Sequence, residues 1–249
     1  MEFIKDRYEI AGLKVLMVTY YERTRQQALP YIAKHMWKEE EADAVIDLDN
    51  EFYEKMQEEN MQGCSLESIE YIYTGTIFNR LLINHHGCML HSSAVVVDGY
   101  AYLFSADSGT GKSTHTGLWL EHFKEKAFII NDDKPVLRLE NGQWFVYGTP
   151  WSGKTDLNIN VKAKLGAIVF LERAKENHIT PIEVKEAIPL FFNQTVRRLK
   201  REEKMDLVLQ YMEEILTSNY YGIVDITRIA ICLFAIGVLV LKFFLFIIL

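Results

Sequence analysis

The stretch SADSGTGKST, residues 105–114, constrains the fold of this chain more than any other part of the sequence. It follows an apolar run at residues 100–104 and precedes a helix-like segment at 114–126, which is the strand–loop–helix setting of a phosphate-binding loop. Small residues let the backbone wrap an anion closely, so that successive N–H groups point at phosphate oxygens. Ala106 stands where a glycine is usual, and alanine fits there unless the backbone needs a positive φ. The stretch predicts that the chain binds a nucleoside triphosphate.

The same motif assigns roles within the loop. Lys112 is expected to reach the β- and γ-phosphates, and the Ser113 hydroxyl is expected to ligate Mg²⁺. The predicted ligands are therefore ATP and Mg²⁺, and the predicted nucleotide-binding residues are Asp107, Ser108, Gly109, Thr110, Gly111, Lys112, Ser113 and Thr114.

Composition narrows the class of protein. A hydrophobic content of 49% and an aromatic content of 12% over 249 residues indicate a folded chain with a substantial core. The net charge of −7 argues against nucleic acid as the main partner, because neutralising phosphates needs clustered cations. Three cysteines without metal-ligand spacing fit a reducing compartment, so we expect a cytoplasmic catalytic domain.

Two turn signals predict a mixed sheet. Asp98-Gly99 separates the strand-like runs 93–97 and 100–104, and Asn141-Gly142 separates the runs 136–139 and 143–147. Such pairs between apolar runs are strong hairpin signals. We therefore expect an α/β fold with a mixed rather than an all-parallel sheet.

An aspartate pair follows the short apolar strand predicted at residues 127–130. Asp132 and Asp133 lie about one helix and one strand beyond Lys112, so both can converge on a metal beside the loop. Two adjacent carboxylates can also take different roles, because one can bind Mg²⁺ while the other accepts a proton from an attacking hydroxyl. The predicted metal ligands are Ser113 and Asp133, and both aspartates are predicted to be catalytic. A solvated turn is the alternative interpretation.

Two further residues complete the predicted catalytic set. His91 precedes the first hairpin, which leaves it either near the site or at the far end of the sheet. Lys154 ends the glycine- and proline-containing stretch 148–154 and is a candidate second cation for the transferring phosphoryl group. An ordinary turn with a surface lysine is the alternative.

The chain divides into three predicted regions. Residues 1–85 are predicted to form a small α/β cap, with strands near 13–20 and 44–48 and a helix within 65–83. Residues 86–228 are predicted to form the phosphate-loop domain, which includes a strand at 165–171 and an amphipathic helix at 206–216.

The third region, residues 229–249, is almost wholly apolar. About 20 apolar residues suffice to cross a bilayer as a helix, so hydropathy predicts a C-terminal transmembrane anchor that attaches the domain to the cytoplasmic membrane. A buried core helix and a tail from a disrupted reading frame are the alternatives.

Taken together, these motifs resemble the HPr kinase/phosphorylase family, whose nucleotide-binding architecture is shared with phosphoenolpyruvate carboxykinases. The resemblance covers roughly residues 86–190 and is carried by His91, the loop 107–113 and the pair Asp132-Asp133. The stretches MLHSSA (89–94), INDDKP (130–135) and GTPWSGK (148–154) are similar to uncharacterised bacterial HPr-kinase-like proteins.

The resemblance implies an ATP- and Mg²⁺-dependent kinase that phosphorylates a serine of a protein or peptide, within a homo-oligomer. It implies that one aspartate of the pair acts as the base, that the other helps to bind metal, and that His91 lies near the phosphates. The chain departs from the family in Thr114, where an acidic residue is usual, and in lacking the arginine-containing signature, whose role Lys154 would take. Two alternatives stay open: a small-molecule kinase or carboxykinase-like enzyme, and a non-catalytic nucleotide-binding switch.

Overall fold

The computed structural model describes residues 2–174, 178–195, 202–217 and 225–231. The N-terminal part forms a three-stranded sheet of β1 (Ile4–Ile10), β2 (Leu13–Thr19) and β3 (Ala44–Ile46), in that order. β1 and β2 are antiparallel, and β3 is parallel to β2. The predicted strands at 13–20 and 44–48 are thereby confirmed, whereas β1 carries no signal that the sequence analysis used.

Three helices accompany this small sheet: α1 (Glu22–Ala28), α2 (Asn50–Asn60) and α3 (Leu66–Leu82). Asp49 and Ser65 cap α2 and α3 by accepting a hydrogen bond from a backbone N–H of the first turn, which satisfies a donor that has no partner within the helix. α3 confirms the helix predicted within 65–83.

The N-terminal layer shares a core with the rest of the protein. Buried Phe78 and Leu82 of α3 belong to one apolar cluster with Met17 of the small sheet and with Met89 and Trp151 from beyond residue 85. The predicted boundaries at 85 and 228 stay a prediction, but this shared cluster fixes α3 against the larger sheet.

The larger sheet is mixed, as predicted. Its main path runs β4-β8-β9-β10-β6-β5-β7, and β12 pairs with β10 and β11. The strands are β4 (Gly87–Met89), β5 (Ser92–Val97), β6 (Tyr100–Ser105), β7 (Ala127–Asn131), β8 (Val136–Glu140), β9 (Gln143–Tyr147), β10 (Lys162–Arg173), β11 (His178–Pro181) and β12 (Asp225–Ile231).

Both predicted hairpins are confirmed. β5 and β6 pair antiparallel across Asp98-Gly99, and β8 and β9 pair antiparallel across Asn141-Gly142. All four turn residues have positive φ, which is the backbone that two-residue hairpin turns require. β6 also pairs parallel with β10, so the strand that enters the phosphate loop is central to the sheet.

Helices cover both faces of this sheet. α4 (Lys112–Phe123) packs on one face through Trp119, which contacts the rings of Tyr102 and Phe104. On the other face, α5 (Val184–Thr195) and α6 (Glu202–Thr217) bury residues such as Phe191 and Met212. Alternate residues of β6 and β10 enter the two cores, which is the two-residue period of a strand buried on both sides.

The prediction of a transmembrane helix at 229–249 is wrong. In the part of the chain that the structure describes, no helix is long and apolar enough to cross a membrane. Residues 229–231 belong to β12, whose backbone pairs parallel with β10. A continuous apolar run is typical of a buried parallel strand as well as of a helix, and hydropathy does not separate the two. Residues 232–249 lie outside the described residues.

The burial of His115 predicts that the free energy of unfolding depends on pH. It is buried on α4, where its ring lies 4.4 Å from that of Phe104 and its Nε2 accepts a hydrogen bond from Trp119 Nε1 at 3.3 Å. Burial lowers the pKa of His115 to about 4. An unfolded histidine binds a proton near pH 6.5, so protons favour the unfolded chain between these values. We expect the contribution of His115 to be complete above pH 6.5 and to fall by up to about 3 kcal/mol by pH 4.

Urea denaturation near neutral pH and at about pH 4.5 measures this loss. The variant His115→Gln keeps an acceptor for Trp119 and should lose much less stability on acidification. His122, exposed on the same helix, provides the matched control His122→Gln, which should behave as the wild type. Equal pH dependence in all three proteins would contradict the assignment.

Candidate active site

The loop that the sequence predicts to bind phosphate, which we call the phosphate loop, spans residues 106–111, between the end of β6 and the start of α4. Gly109 and Gly111 have φ of 79° and 113°, a backbone conformation that favours glycine. The φ of Ala106 is not positive. Alanine at the first-glycine position therefore causes no backbone strain. The Gly111 carbonyl accepts the first hydrogen bond of α4, from the His115 N–H at 2.9 Å.

The side chain of Lys112 contacts the backbone of the loop. Its Nζ donates to the carbonyl oxygens of Ala106 at 2.9 Å and Asp107 at 3.4 Å. The ammonium group thus lies beside the loop backbone and the N-terminus of α4, where N–H groups and the helix dipole both favour an anion.

Asp132 contacts the loop directly. One carboxylate oxygen accepts a hydrogen bond from the Ser113 hydroxyl at 3.0 Å, and the other accepts one from Ser93. The Ser93 hydroxyl also contacts that of Thr116 at 2.8 Å. Asp132 is only 7% exposed, so these bonds fix a buried carboxylate against the start of α4.

The hydroxyl of Ser113 and the carboxylate of Asp132 form an oxygen pair of the kind that Mg²⁺ prefers. No cluster of three His, Cys, Asp or Glu side chains suited to a metal occurs among the described residues. A magnesium ion in a triphosphate site takes one or two protein oxygens and completes its shell with phosphate and water. The donor set at Ser113 and Asp132 therefore fits this ion.

Asp133 belongs to a second group of contacts. Its Oδ1 lies 3.3 Å from His91 Nε2, and its Oδ2 lies 3.6 Å from Lys134 Nζ. Burial acts to raise the pKa of Asp133, but the hydrogen bond from His91 and the charges of Lys134, His91 and Lys112 outweigh it and lower the pKa below its ordinary value. Asp133 is therefore an ionised carboxylate at neutral pH. The sequence left open whether His91 lies near the site or at the far end of the sheet. In the structure, His91 lies near the phosphate loop.

Asn131 positions the aspartate pair, a role that the sequence analysis missed. Its side-chain oxygen accepts the backbone N–H groups of Asp133 at 2.9 Å and Lys134 at 2.7 Å, and its amide donates to the Thr149 carbonyl at 2.9 Å. An asparagine at a strand end, directly before paired aspartates, is the signal that could have found this turn.

The stretch 148–154 is anchored by buried aromatic residues. Trp151 stacks on Phe78 with ring centroids 5.0 Å apart, and its Nε1 donates to Thr74 at 3.2 Å. The Tyr71 hydroxyl accepts the backbone N–H of Ser152 at 2.7 Å. These contacts hold the end of the stretch at the phosphate loop, where Lys154 is exposed.

Arg23 of α1 is a second residue that the sequence analysis missed. Its guanidinium lies 4.4 Å from the centre of the Tyr71 ring, and its Nη2 donates to the Gly153 carbonyl at 3.1 Å. No local motif marks Arg23, because its role depends on contacts with residues far away in the sequence.

Most of the predicted site residues line one cleft of ≈ 630 Å³. Those that line it are His91, Ser108, Gly109, Gly111, Lys112, Ser113, Thr114, Asp132, Asp133 and Lys154. Asp107 and Thr110 do not line the cleft; the Thr110 N–H donates to the Asp107 carbonyl at 3.2 Å within the loop. A carboxylate oxygen of Asp107 accepts a hydrogen bond from Gln194 at 3.3 Å, and Gln194 also contacts His91 Nδ1 at 2.8 Å.

No known family and no curated protein matches the chain. Among solved structures, the Hpr(Ser) kinase/phosphatase from Coxiella burnetii is similar at 13% sequence identity and a TM-score of 0.34, over 63% of this chain and 96% of that one. Membership of the HPr kinase/phosphorylase family therefore stays a prediction from the sequence motifs.

The close packing around Gly153 predicts that a larger residue at this position lowers the free energy of unfolding. It has φ +75°, and a Cβ at this position would lie 2.9 Å from Asp133 Cβ. Gly63 has φ +85° but no atom within 4 Å of its added Cβ, so Gly63→Ala is a matched control for the backbone conformation alone. We expect Gly63→Ala to cost about 1–2 kcal/mol of unfolding free energy. Gly153→Ala should cost a further ~1–3 kcal/mol through overpacking.

Urea denaturation of both variants tests this expectation. Equal losses would mean that the contact with Asp133 relaxes freely.

Proposed function

We propose that the chain is a kinase that transfers the γ-phosphoryl group of ATP to a serine hydroxyl of a protein or peptide. The observation that carries this proposal is the hydrogen bond from Ser113 to Asp132 at the phosphate loop, with Asp133 and His91 in the same cleft. Phosphoryl transfer asks the protein mainly to position groups and to neutralise developing charge, and this cleft offers both.

The loop and Lys112 would hold the phosphates of ATP. Ser113 and Asp132 would hold Mg²⁺, which supplies charge neutralisation at the phosphate oxygens when bound. The sequence predicts Ser113 and Asp133 as the metal ligands, but Asp132 would take the place of Asp133, because Asp132 is the carboxylate that contacts Ser113.

Asp133 would act as the base. Its carboxylate is ionised and lies at the cleft surface, so it can accept the proton of an attacking hydroxyl. His91 would orient Asp133 through the contact at 3.3 Å, and Gln194 would orient His91 in turn. Lys154 and Arg23 line the same cleft and would stabilise charge on the transferred group.

Separate variants of the two aspartates test these roles. We expect Asp133→Asn to lower phosphoryl transfer by about 10²–10⁴-fold while ATP still binds, because it removes the base and leaves the phosphate loop intact. Asp132→Asn should instead raise the Mg²⁺ concentration needed for half-maximal ATP binding by about tenfold or more. Transfer is measured by mass spectrometry of a serine-peptide library after incubation with ATP and Mg²⁺, and binding is measured by calorimetry.

Asp206→Asn, at an exposed position on α6, is the control and should change neither quantity. Full transfer by both site variants would refute the assigned chemistry. Phosphorylation of small metabolites but of no peptide would favour a small-molecule kinase or carboxykinase-like enzyme. ATP binding without transfer to any acceptor would favour the nucleotide-binding switch.

A further inference from the structure

A second cleft, of ≈ 380 Å³, adjoins the phosphate cleft. The residues that line both are Ile72, His91, Ser108, Asp133 and Lys134. Asp133 therefore stands at the junction of the two clefts. If ATP occupies the cleft at the loop, an acceptor hydroxyl that reaches Asp133 can approach from the second one.

One face of α3 forms a wall along both clefts. Its first turns contribute Ser68, Tyr71 and Ile72 to the phosphate cleft. Its later turns contribute Ile72, Gly75, Thr76, Asn79 and Arg80 to the second cleft. These spacings of three and four residues are those of a single helix face, so the second cleft is a groove that runs along the helix.

The last residue of α3 that lines the second cleft is the cationic Arg80. Arg80 lies in the last turn of α3, eight residues beyond Ile72, which corresponds to about 12 Å along the helix axis. Among the described residues, the other charged ones that line the second cleft, Asp133 and Lys134 with the titratable His91, lie at the junction with the phosphate cleft. Arg80 therefore belongs to the part of the wall that lies farthest along α3 from Ile72, the helix residue at the junction.

The remaining lining suits a peptide backbone. The hydroxyls of Thr76 and Thr195 donate to carbonyls of their own helices and can still accept a hydrogen bond. The Asn79 side-chain oxygen accepts the Met89 N–H, which leaves its NH₂ group as a donor, and Met89 adds apolar surface. An extended chain advances about 3.3 Å per residue, so about 12 Å corresponds to three or four residues. A small hydroxy acid, whose hydroxyl and carboxylate are only a few bonds apart, is shorter than this part of the wall.

We propose that the second cleft binds an acidic peptide in an extended conformation. The acceptor serine lies at Asp133, and an aspartate or glutamate three or four residues away pairs with Arg80. This inference rests on the proposed kinase function, since it gives that function its class of acceptor. Arginine suits the role because its planar guanidinium can bind a carboxylate through two hydrogen bonds.

The experiment uses the full chain with ATP and Mg²⁺ and a set of peptides, each with one serine in a neutral background. A single glutamate is moved through the four positions on either side of the serine, and a lysine series is the charge control. We expect glutamate three or four residues away, on one side, to raise kcat/KM about tenfold over the neutral peptide, mainly through KM. Lysine at the same position should lower it.

Variants of Arg80 show whether that residue reads the charge. Arg80→Gln should abolish the glutamate preference, so that the ratio of kcat/KM between the acidic and the neutral peptide falls to about one, and Arg80→Lys should restore part of that preference. Lys55→Gln, which removes an exposed cation of α2, should preserve it in full. A purely structural role of Arg80 would lower activity on all peptides equally and would overturn the proposal.

Peptide binding, measured by fluorescence anisotropy with the same peptides, separates failure of this inference from failure of the kinase function. Preferential binding of the acidic peptide that depends on Arg80, without transfer, would support the groove and refute the kinase. Transfer without preference among the peptides would refute the groove alone. Transfer to small hydroxy acids but to no peptide would also overturn it.

Discussion

The hydrogen bond between Ser113 and Asp132 joins the two parts of the chain on which the site depends. Ser113 belongs to the first turn of α4, directly after the phosphate loop, and Asp132 directly follows β7. In the sheet, β7 pairs with β5, and β5 pairs with β6, so the backbone ladder already brings the ends of β6 and β7 near each other. The contact converts that proximity into a defined pair of oxygen atoms. Asn131 then turns the chain so that Asp133 faces His91.

The features that sequence predicted well are local ones. The two-residue hairpins each need only neighbouring residues, and each was identified from its own few positions. Asp98-Gly99 and Asn141-Gly142 illustrate this, because their backbone requirement is itself a property of two residues. The mixed sheet followed from these hairpins. The glycine-rich loop and the acidic strand end are equally local patterns that the structure brings together, while their binding of phosphate and metal stays a prediction.

Features that depend on distant contacts were missed. The bond from Arg23 to Gly153 links residues 130 positions apart, and Tyr71 reaches Ser152 across 81 positions. No hydrophobic periodicity or motif in residues 1–85 indicates that the side chains of Arg23 and Tyr71 contribute to the site. The C-terminal error has the same origin, since β12 is a strand only because β10 lies beside it. Apolar character measured along one segment contains no information about its neighbour.

The position of α3 gives the molecule a separation of tasks. In the proposed function, the groups that would hold the phosphates come mainly from the larger sheet and its loops, whereas the later turns of α3, in the N-terminal layer, would form the wall that an acceptor meets. Thr76, Asn79 and Arg80 line the second cleft and not the phosphate cleft, so substitutions at these positions would leave the phosphate loop, Ser113 and Asp132 unaltered. Under the proposed function, related chains could thus exchange one target for another through a few positions in the later turns of one helix, while the groups proposed to bind the nucleotide stay constant.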